Sequence, residues 1–481
     1  MDRYDLLVIG GGINGAAVAR DAAGRGLSVL LVEKDDLAAH TSSASSKLIH
    51  GGLRYLEHYD FRLVRESLLE REVMLRIAPH LVQPLEFVLP DPPGGRPWWM
   101  IRIGLWLYDL LAGRCSLPRS RGLKRGDPRG APLKPGFHLL SYWDAWTDDS
   151  RLVIANAVDS AERGAEILTR TALVSARREG DQWTAMLSNG REVAAAKVVN
   201  AAGPWVSEVL SANLGVAGRS RVRLVKGSHI CVPRLHDGNH AFLLQQPDRR
   251  VVFVLPYGRY SLIGTTDVAV ASPDEAQISD AEVRYLCDAA NLYFSGTVTP
   301  GDQVWAYAGI RALYDDGAAD AQSVTRDYKL ELDVGPGAPL LSVFGGKITT
   351  ARALAADALD LLKAGGIKFT ATSPLPGGEV TPGFNAWLEE LARWMPEPLL
   401  GRLSRAYGTR LDRIVDGAGS VAGLGRHFGG GLYEAEVRYL TEHEFARTAE
   451  DILWRRTKLG LSLTAAEQRA LSDHVGNASG P

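Results

Sequence analysis

The densest set of chemically useful side chains in this sequence lies at residues 40–58, HTSSASSKLIHGGLRYLEH. Five hydroxyl residues fall within six consecutive positions, and Lys47, His50 and Arg54 follow them. Hydroxyl groups donate and accept hydrogen bonds, histidine titrates near neutral pH, and a guanidinium holds two anionic oxygens at once. Polar runs of this kind are typical of loops, where binding sites concentrate. The residue types therefore indicate a loop that contacts a polar ligand and offers both a cation and a proton acceptor.

The element that must position this loop begins at the start of the chain. Residues 4–34, YDLLVIGGGINGAAVARDAAGRGLSVLLVEK, have the pattern of strand, glycine turn, helix and strand. Gly10, Gly12 and Gly15 match G-x-G-x-x-G, with Asn14 inside the motif. Such glycines allow a tight turn, a close approach of the backbone to a pyrophosphate, and close packing of helix on strand. With strands on both sides, the motif predicts dinucleotide binding in preference to a simple surface turn.

Glu33 and two later segments indicate which dinucleotide is bound. Glu33 ends the second strand, where a carboxylate can accept hydrogen bonds from the adenosine ribose and disfavours the 2′-phosphate of NADP. FAD is favoured over NAD because the hydroxyl-rich loop follows that strand. Residues 197–210, KVVNAAGPWVSEVL, add an apolar strand that ends in small residues. The predicted cofactor contacts in these two segments are Thr41, Ser42, Ser45, Ser46, Lys47, Ala202 and Gly203.

Composition restricts the class of protein. The 481 residues are 46% hydrophobic and 23% charged, with a net charge of −2, so the chain has ordinary globular composition and no field that would attract nucleic acid. Its three cysteines have no CxxC spacing, which argues against a disulfide framework and a zinc site, and no metal is predicted. Neither a secretory signal nor a transmembrane helix is expected.

Strand and helix patterns predict an α/β fold in three parts. The first is a discontinuous Rossmann-like FAD-binding domain. The second is an intergrown substrate domain, whose β-branched and aromatic alternation is typical of a largely antiparallel sheet. A breaker-rich linker, TSPLPGGEVTPG, precedes an all-α C-terminal domain. The predicted boundaries are 1–90, 145–215 and 335–371 for the FAD-binding domain, 91–144 and 216–334 for the substrate domain, 372–383 for the linker and 384–481 for the helical domain.

A series of motifs runs through nearly the whole chain: VIGGGINGA, TSSASSKLIHGGLRYLEH, NAAGPW, KGSHI, IGTTD, GIRALYDD with TRDY, FGGKITTAR and DILWRRTKLG. Their identity and order resemble the respiratory, FAD-dependent glycerol-3-phosphate dehydrogenases. One departure is visible at Ala312, where that family has proline. The change from proline to alanine affects the expected rigidity of this loop. It does not affect the expected chemistry, because Arg311 is retained.

The resemblance implies that sn-glycerol 3-phosphate is oxidised to dihydroxyacetone phosphate by hydride transfer to non-covalently bound FAD. A phosphate dianion must be held by cations, and guanidinium groups do this best. Arg54 and Arg311 are the candidates, and Tyr55 and Thr266 are neutral donors beside them. Arg311 is also expected to take part in catalysis.

The hydroxyl proton of such a substrate needs a base, and histidine is the usual choice. His50 in KLIHGGLR and His229 in VKGSHICV are the candidates, and the sequence does not choose between them. Gly346, Lys347 and Thr349 lie where an apolar strand meets an alanine-rich helix, whose positive end can stabilise a negatively charged ligand. The resemblance places Lys347 in the active site beside the flavin.

Residues 96–125, RPWWMIRIGLWLYDLLAGRCSLPRSRGLKR, form an apolar helix pattern too short to span a bilayer, followed by five basic residues. This pattern fits a helix that lies in a membrane interface, with a buried helix as the alternative. The resemblance favours the first interpretation. It implies a peripheral or monotopic protein on the cytoplasmic face of the inner membrane, which passes electrons to membrane quinone.

Three alternatives stay open at this level. An oxidase on the same scaffold would pass electrons to oxygen. A flavoprotein that acts on amines or hydroxy acids is a more distant alternative. A nucleotide-bound scaffold would show no turnover. The sequence does not fix the oligomeric state, and a homodimer is compatible with it.

Overall fold

The computed structural model describes residues 1–92, 97–315 and 327–478, with the backbone alone at Arg54, Glu57, His58, Asn477 and Ala478. The described residues form two large sheets, flanking helices and a helical C-terminal region. The strands are β1 (Asp2–Ile9), β2 (Val29–Val32), β3 (Leu48–Ile49), β4 (Val82–Pro90), β5 (Arg121–Gly122), β6 (Leu139–Thr147), β7 (Glu166–Leu168), β8 (Leu173–Glu179), β9 (Gln182–Leu187), β10 (Glu192–Asn200), β11 (Val222–Pro233), β12 (Ala241–Gln245), β13 (Val251–Tyr257), β14 (Tyr260–Gly264), β15 (Val268–Ala269), β16 (Trp305–Tyr314), β17 (Lys329–Asp333), β18 (Leu340–Phe344), β19 (His427–Gly429) and β20 (Leu432–Tyr433). The α-helices are α1 (Ile13–Gly24), α2 (Phe61–Ile77), α3 (Trp98–Ala112), α4 (Asp149–Glu162), α5 (Val206–Glu208), α6 (Asp280–Asn291), α7 (Ala351–Leu361), α8 (Pro382–Leu391), α9 (Glu397–Tyr407), α10 (Leu411–Val415), α11 (Glu434–His443) and α12 (Ala465–Ala478).

The first sheet is the predicted Rossmann-like one. Its parallel centre has the order β18-β10-β1-β2-β7, and β17 and the β8-β9 hairpin extend it in antiparallel pairing. The last four residues of β1 are buried, because α1, α4 and α7 cover one face and a second apolar cluster covers the other. A parallel sheet needs such cover on both faces, which explains the unbroken apolar runs in its strands.

The second sheet has ten strands, in the order β15-β11-β14-β13-β12-β4-β6-β3, with β16 paired to β11 and β5 to β6. All of its pairs are antiparallel except β12 with β4. The prediction of a largely antiparallel sheet is therefore confirmed.

Strand pairing differs from the predicted domain division at two places. β4 and the short β3 lie in the second sheet, although residues 1–90 were assigned to the FAD-binding domain. β17 pairs with β18 in the first sheet, although its residues were assigned to the substrate domain. Pairing partners distant in sequence decide which sheet a strand joins, and periodicity does not contain that information. The other boundaries stay predictions.

The C-terminal region is helical, as predicted, and contains α8 to α12 around its own apolar core. The small β19-β20 hairpin was not predicted; its turn uses Gly430 and Gly431, both with positive φ. The predicted linker is not a free tether, because Leu375 is fully buried and its N–H donates to the carbonyl of Ile77. Arg456 binds both carboxylate oxygens of Asp36 at 2.7 and 2.8 Å, which joins this region to the loop after β2.

A buried histidine beneath the linker predicts a pH dependence of stability. His80 is 8% exposed, and burial, followed by the charge of Arg151, lowers its pKa from 6.5 to about 3. Between these pH values the unfolded chain binds a proton that the folded protein excludes, so the free energy of unfolding falls as pH decreases from 6.5. We expect His80→Gln to remove up to about 1.4 kcal/mol per pH unit of this dependence. Thermal unfolding from pH 7 to pH 4 tests this; His443→Gln, at an exposed position, should leave the slope unchanged.

Candidate active site

A cavity of 1610 Å³ lies between the two sheets. Its lining comes from the glycine turn, the hydroxyl-rich loop, the 201–205 segment, helix α3, the second sheet and residues 345–349. Pockets for single small molecules have volumes of roughly 300–1,000 Å³. This cavity is therefore large enough for a long cofactor together with a small substrate.

The glycine turn makes two close contacts that only glycine allows. Gly10 has φ +108°, and a Cβ there would lie 2.6 Å from the carbonyl oxygen of Ala201 at the end of the neighbouring β10. A Cβ on Gly15 would lie 1.9 Å from the carbonyl oxygen of Gly10. Gly10 and Gly12 line the cavity, whereas Gly15 packs α1 against the turn. The predicted division of roles among the glycines agrees with this geometry.

Glu33 lies at the cavity wall at the end of β2. One carboxylate oxygen accepts the N–H of Gly11 at 2.6 Å and the other accepts the N–H of Asp35 at 2.9 Å. Burial raises the pKa of this carboxyl, and the two hydrogen bonds oppose that rise. A carboxylate has about four lone-pair sites, so acceptor capacity remains for ribose hydroxyls. The contribution of Gly11 was not predicted, because it depends on the position of Glu33.

A buried acceptor without a partner supports the fit of a polar cofactor. Asn14 Nδ2 donates to the carbonyl of Gly345 at 3.2 Å, and Asn14 Oδ1 has no hydrogen-bond partner among the described residues. A Cβ on Gly346 would lie 2.9 Å from Asn14 Nδ2, so glycine is needed where the two segments meet. Ser42 Oγ accepts the N–H of Ile13 at 3.0 Å, at the start of α1. Glycines that leave the backbone open to the cavity fit a dinucleotide pyrophosphate, and the unpartnered amide oxygen of Asn14 fits an N–H or hydroxyl donor of the same cofactor.

The hydroxyl-rich loop divides between the cavity and the protein interior. Thr41, Ser42, Ser45 and Ser46 line the cavity, although Thr41 also donates to the carbonyl of Ile310 at 2.6 Å. Ala202, Gly203 and Thr349, also predicted as cofactor contacts, line the cavity as well.

Lys47 corrects one prediction. Its ammonium group lies 2.8 Å from Asp149 Oδ1, both side chains are 0% exposed, and Lys47 is not among the residues that line the cavity. Ser45 binds the other oxygen of the same carboxylate. A buried cation requires a paired anion, so Lys47 binds Asp149 and holds the loop to the start of α4. The prediction that Lys47 contacts the cofactor is therefore wrong.

The two candidate histidines occupy different places. His50 lines the cavity, and its pKa is lowered to about 3 by burial, with contributions from the charges of Lys347 and Arg71. His229 is buried outside the cavity lining; its Nε2 lies 2.9 Å from Ser46 Oγ and its ring stacks on Tyr307. Burial also lowers the pKa of His229 well below its ordinary value. Both imidazoles are therefore neutral near pH 7, but His50 faces the space in which a substrate would lie.

The cavity lining also includes the cations Arg311 and Lys347 and the phenol of Tyr55. Arg311 donates to Asp267 Oδ1 at 2.5 Å and to Thr265 Oγ1 at 3.0 Å, and its side chain is 28% exposed. Lys347 Nζ lies 3.9 Å from the centre of the Tyr55 ring. Arg54 is the second residue of a short 3₁₀ helix, Leu53–His58, and its side chain lies outside the described residues.

Thr266 corrects a second prediction. Its hydroxyl donates to Glu282 at 2.8 Å and accepts the N–H of Ser228 at 2.9 Å, and the side chain is 1% exposed and outside the cavity lining. Its neighbours Thr265 and Asp267 line the cavity instead. Successive side chains of an extended segment point to opposite sides, so a one-residue error in assignment moves the donor away from the site. The IGTTD motif marked the right segment but not which of its side chains faces the cavity.

A dinucleotide-type glycine turn, a neutral histidine and an arginine lie in one cavity, which fits a cofactor-dependent oxidoreductase, and comparisons with known proteins identify the cofactor class. The profile of the FAD dependent oxidoreductase family matches residues 5–352, and that of the C-terminal domain of alpha-glycerophosphate oxidase matches residues 368–477. The protein is therefore an FAD-dependent oxidoreductase.

Comparison with individual relatives shows which family of FAD-dependent oxidoreductases the chain belongs to. The chain is 51% identical to a D-erythritol 1-phosphate dehydrogenase of Brucella abortus, over 99% of this chain and 98% of the relative. It is 50% identical to a glycerol-3-phosphate dehydrogenase of Pseudomonas aeruginosa, over 98% and 95% of the two chains. The glycerol-3-phosphate dehydrogenase from Bacillus halodurans, solved in complex with FAD, shares the fold with a TM-score of 0.72 at 24% identity, over 99% and 94% of the chains. The chain belongs to the FAD-dependent glycerol-3-phosphate dehydrogenase family.

Proposed function

We propose that this protein oxidises sn-glycerol 3-phosphate to dihydroxyacetone phosphate and passes the two electrons on to membrane quinone. The observation that carries the proposal is the meeting of His50, Arg311 and Lys347 in one cavity beside the glycine cradle. FAD, when bound, supplies an acceptor for the hydride that leaves the alcohol carbon. The protein must then bind the phosphate, orient the alcohol and remove the hydroxyl proton.

Arg311 is the proposed phosphate ligand among the described side chains, with Arg54 assigned to the same role by its sequence position. A guanidinium has five N–H donors, and Asp267 and Thr265 use some of them while fixing its orientation. A fixed fork loses less freedom when it binds a phosphate than a mobile one does. Tyr55 and Lys347 lie on another part of the wall and restrict where the alcohol end can lie.

His50 is the proposed base. A neutral imidazole can accept the hydroxyl proton, and the low pKa of His50 keeps it unprotonated in the free protein. His229 is proposed to position the loop through Ser46, since its ring does not line the cavity.

Anaerobic addition of glycerol 3-phosphate to the yellow holoprotein tests the proposal. We expect the flavin absorbance to bleach with glycerol 3-phosphate and to persist with glycerol, which lacks the phosphate. An unbleached spectrum in both cases would contradict the activity and favour a scaffold without turnover.

The 51% identity to the D-erythritol 1-phosphate dehydrogenase supports a second candidate substrate, a four-carbon polyol phosphate. It has the same phosphate and secondary alcohol with one more hydroxylated carbon. The ratio of kcat/KM for glycerol 3-phosphate and erythritol 1-phosphate decides between them.

Helix α3 provides the support for membrane quinone as the proposed electron acceptor. Trp98, Trp99, Met100, Ile103, Trp106 and Leu110 are 42–60% exposed, and Met100 and Ile103 also line the cavity. Arg102 and Asp109 are joined through Ser120 at the edge of the same exposed side of the helix, and the five basic residues that follow α3 are exposed. An apolar stripe beside the cavity, with a basic border, suits an anionic lipid surface and a lipid-soluble acceptor. Among the described residues, no helix has both the length and the apolarity needed to cross a bilayer.

The combined substitution of Trp99, Trp106 and Leu110 by Gln tests the membrane contact. These side chains do not line the cavity, so we expect partitioning onto anionic liposomes to fall at least roughly 10-fold while dye-linked activity is retained. Val174, Leu361 and Ile367 are also exposed, and their combined substitution by Gln is the matched control, expected to leave partitioning unchanged. Equal loss of binding and activity would instead identify α3 as a structural helix. Peroxide formed in step with substrate would favour oxygen as the acceptor.

A further inference from the structure

We propose that Tyr108 is a positioning residue for the reaction, because it holds the His50–Tyr55 segment in place through the backbone of Gly51. This inference rests on the proposed function, since the segment carries the proposed base and cavity-lining Tyr55. Tyr108 lies on the buried side of α3 and has no part in the steps described above.

The hydroxyl group of Tyr108 both accepts and donates a hydrogen bond. It accepts the N–H of Gly51 at 2.8 Å and donates to the carboxylate of Asp144 at 2.8 Å. Asp144 in turn accepts from Arg71 Nη1 at 2.7 Å. Tyr108 is 2% exposed, Asp144 0% and Arg71 1%, so the chain of bonds is shielded from water. Burial raises the pKa of Tyr108 well above its ordinary value, which keeps the donating proton on the phenol.

Gly51 can donate this hydrogen bond at such close range because it has no side chain. A Cβ at Gly51 would lie 2.6 Å from the Tyr108 oxygen and 2.8 Å from Leu68. The next residue, Gly52, has φ +78° and begins the turn that carries Arg54 and Tyr55. Gly51 is therefore a fixed point between the base on one side and the 3₁₀ turn on the other.

The side chains in this chain of hydrogen bonds come from three different elements of the fold. Arg71 comes from α2, Asp144 from β6 and Tyr108 from α3. A second bond, from the N–H of His50 to Thr349 Oγ1 at 3.3 Å, holds the other end of the segment. Loss of the Tyr108 hydroxyl removes the 2.8 Å acceptor of the buried Gly51 N–H and leaves the Asp144 carboxylate, which also interacts with that N–H, as the acceptor nearby, so the segment can shift toward it.

Tyr108→Phe tests the proposal, because it retains the ring and its packing against Tyr142 and removes only the hydroxyl. In anaerobic stopped-flow measurements with glycerol 3-phosphate, we expect the limiting rate of flavin bleaching to fall about 10-fold or more, as small misplacements of reacting groups do. Flavin content should be unchanged. Hydrogen exchange of peptides covering 48–56 should become faster.

Tyr407→Phe is the matched control. Tyr407 is also a buried tyrosine whose hydroxyl donates to a carboxylate, Glu436, at 2.7 Å, and it lies in the C-terminal region away from the cavity. We expect it to lower the unfolding temperature by a similar amount without slowing bleaching or changing exchange at 48–56.

Two outcomes overturn the proposal: bleaching and exchange of Tyr108→Phe that equal those of the wild type, or equal slowing by both substitutions, which would mean general destabilisation. If the wild-type protein itself is not bleached by glycerol 3-phosphate, the proposed function fails. Exchange at 48–56 then decides by itself whether Tyr108 holds the segment.

Discussion

We expect His50→Asn to slow flavin bleaching by glycerol 3-phosphate about 10²- to 10⁴-fold, the range for loss of a general base. The reason is geometric. His50 lines the cavity, and burial, which lowers its pKa to about 3, keeps the ring neutral in the free protein while weakening it as a base, so its assignment rests on its position. Asparagine keeps polarity and approximate size but cannot accept the proton. Stopped-flow absorbance under anaerobic conditions measures the limiting rate.

Two further variants make this result interpretable. His80→Gln alters another buried histidine with a pKa lowered to about 3, remote from the cavity lining, and should bleach at the wild-type rate. His229→Asn should have a smaller effect than His50→Asn, since His229 reaches the cavity through Ser46. If His229→Asn abolishes bleaching while His50→Asn does not, the base has been assigned to the wrong histidine.

We expect Arg311→Ala to raise the KM for glycerol 3-phosphate by about 100-fold, corresponding to a loss of about 3 kcal/mol of binding free energy, while flavin content is retained. The substitution removes a cation from the cavity. It also removes the cation that pairs with the cavity-lining carboxylate of Asp267 at 2.5 Å, which makes the cavity less favourable for a phosphate. Lysine restores the charge but not the planar fork, so Arg311→Lys should fall between alanine and the wild type.

Arg223→Ala is the control for Arg311. Arg223 lies on β11, is paired with Asp315 at 3.1 Å and does not line the cavity. We expect Arg223→Ala to change the KM for glycerol 3-phosphate less than about 2-fold. Ion pairs with partly exposed side chains contribute little energy, so their loss should not disturb the cavity. An unchanged KM in Arg311→Ala would exclude Arg311 as the phosphate ligand and leave that role to Arg54.

Local patterns in the sequence were sufficient for the cofactor cradle and for the kind of fold. Gly10 has the positive φ that other residues rarely adopt, and the place of Gly15 in the same short motif predicts its close contact with the turn, so the motif is predictable from local sequence. Alternating and helical periodicities likewise reflect the faces that each element buries. The antiparallel second sheet and the helical C-terminal region were predicted on this basis.

Tertiary structure alone decided which of the predicted side chains face the cavity. Lys47 is turned inward by Asp149, which lies 102 positions further along the chain, and Thr266 is held by Glu282. The two histidines have similar sequence surroundings, yet His50 borders the cavity and His229 is buried behind Ser46. Residue type and spacing specify what a side chain can do. The direction in which it points depends on partners brought close by folding, and burial of a charge or an N–H group forces those partnerships.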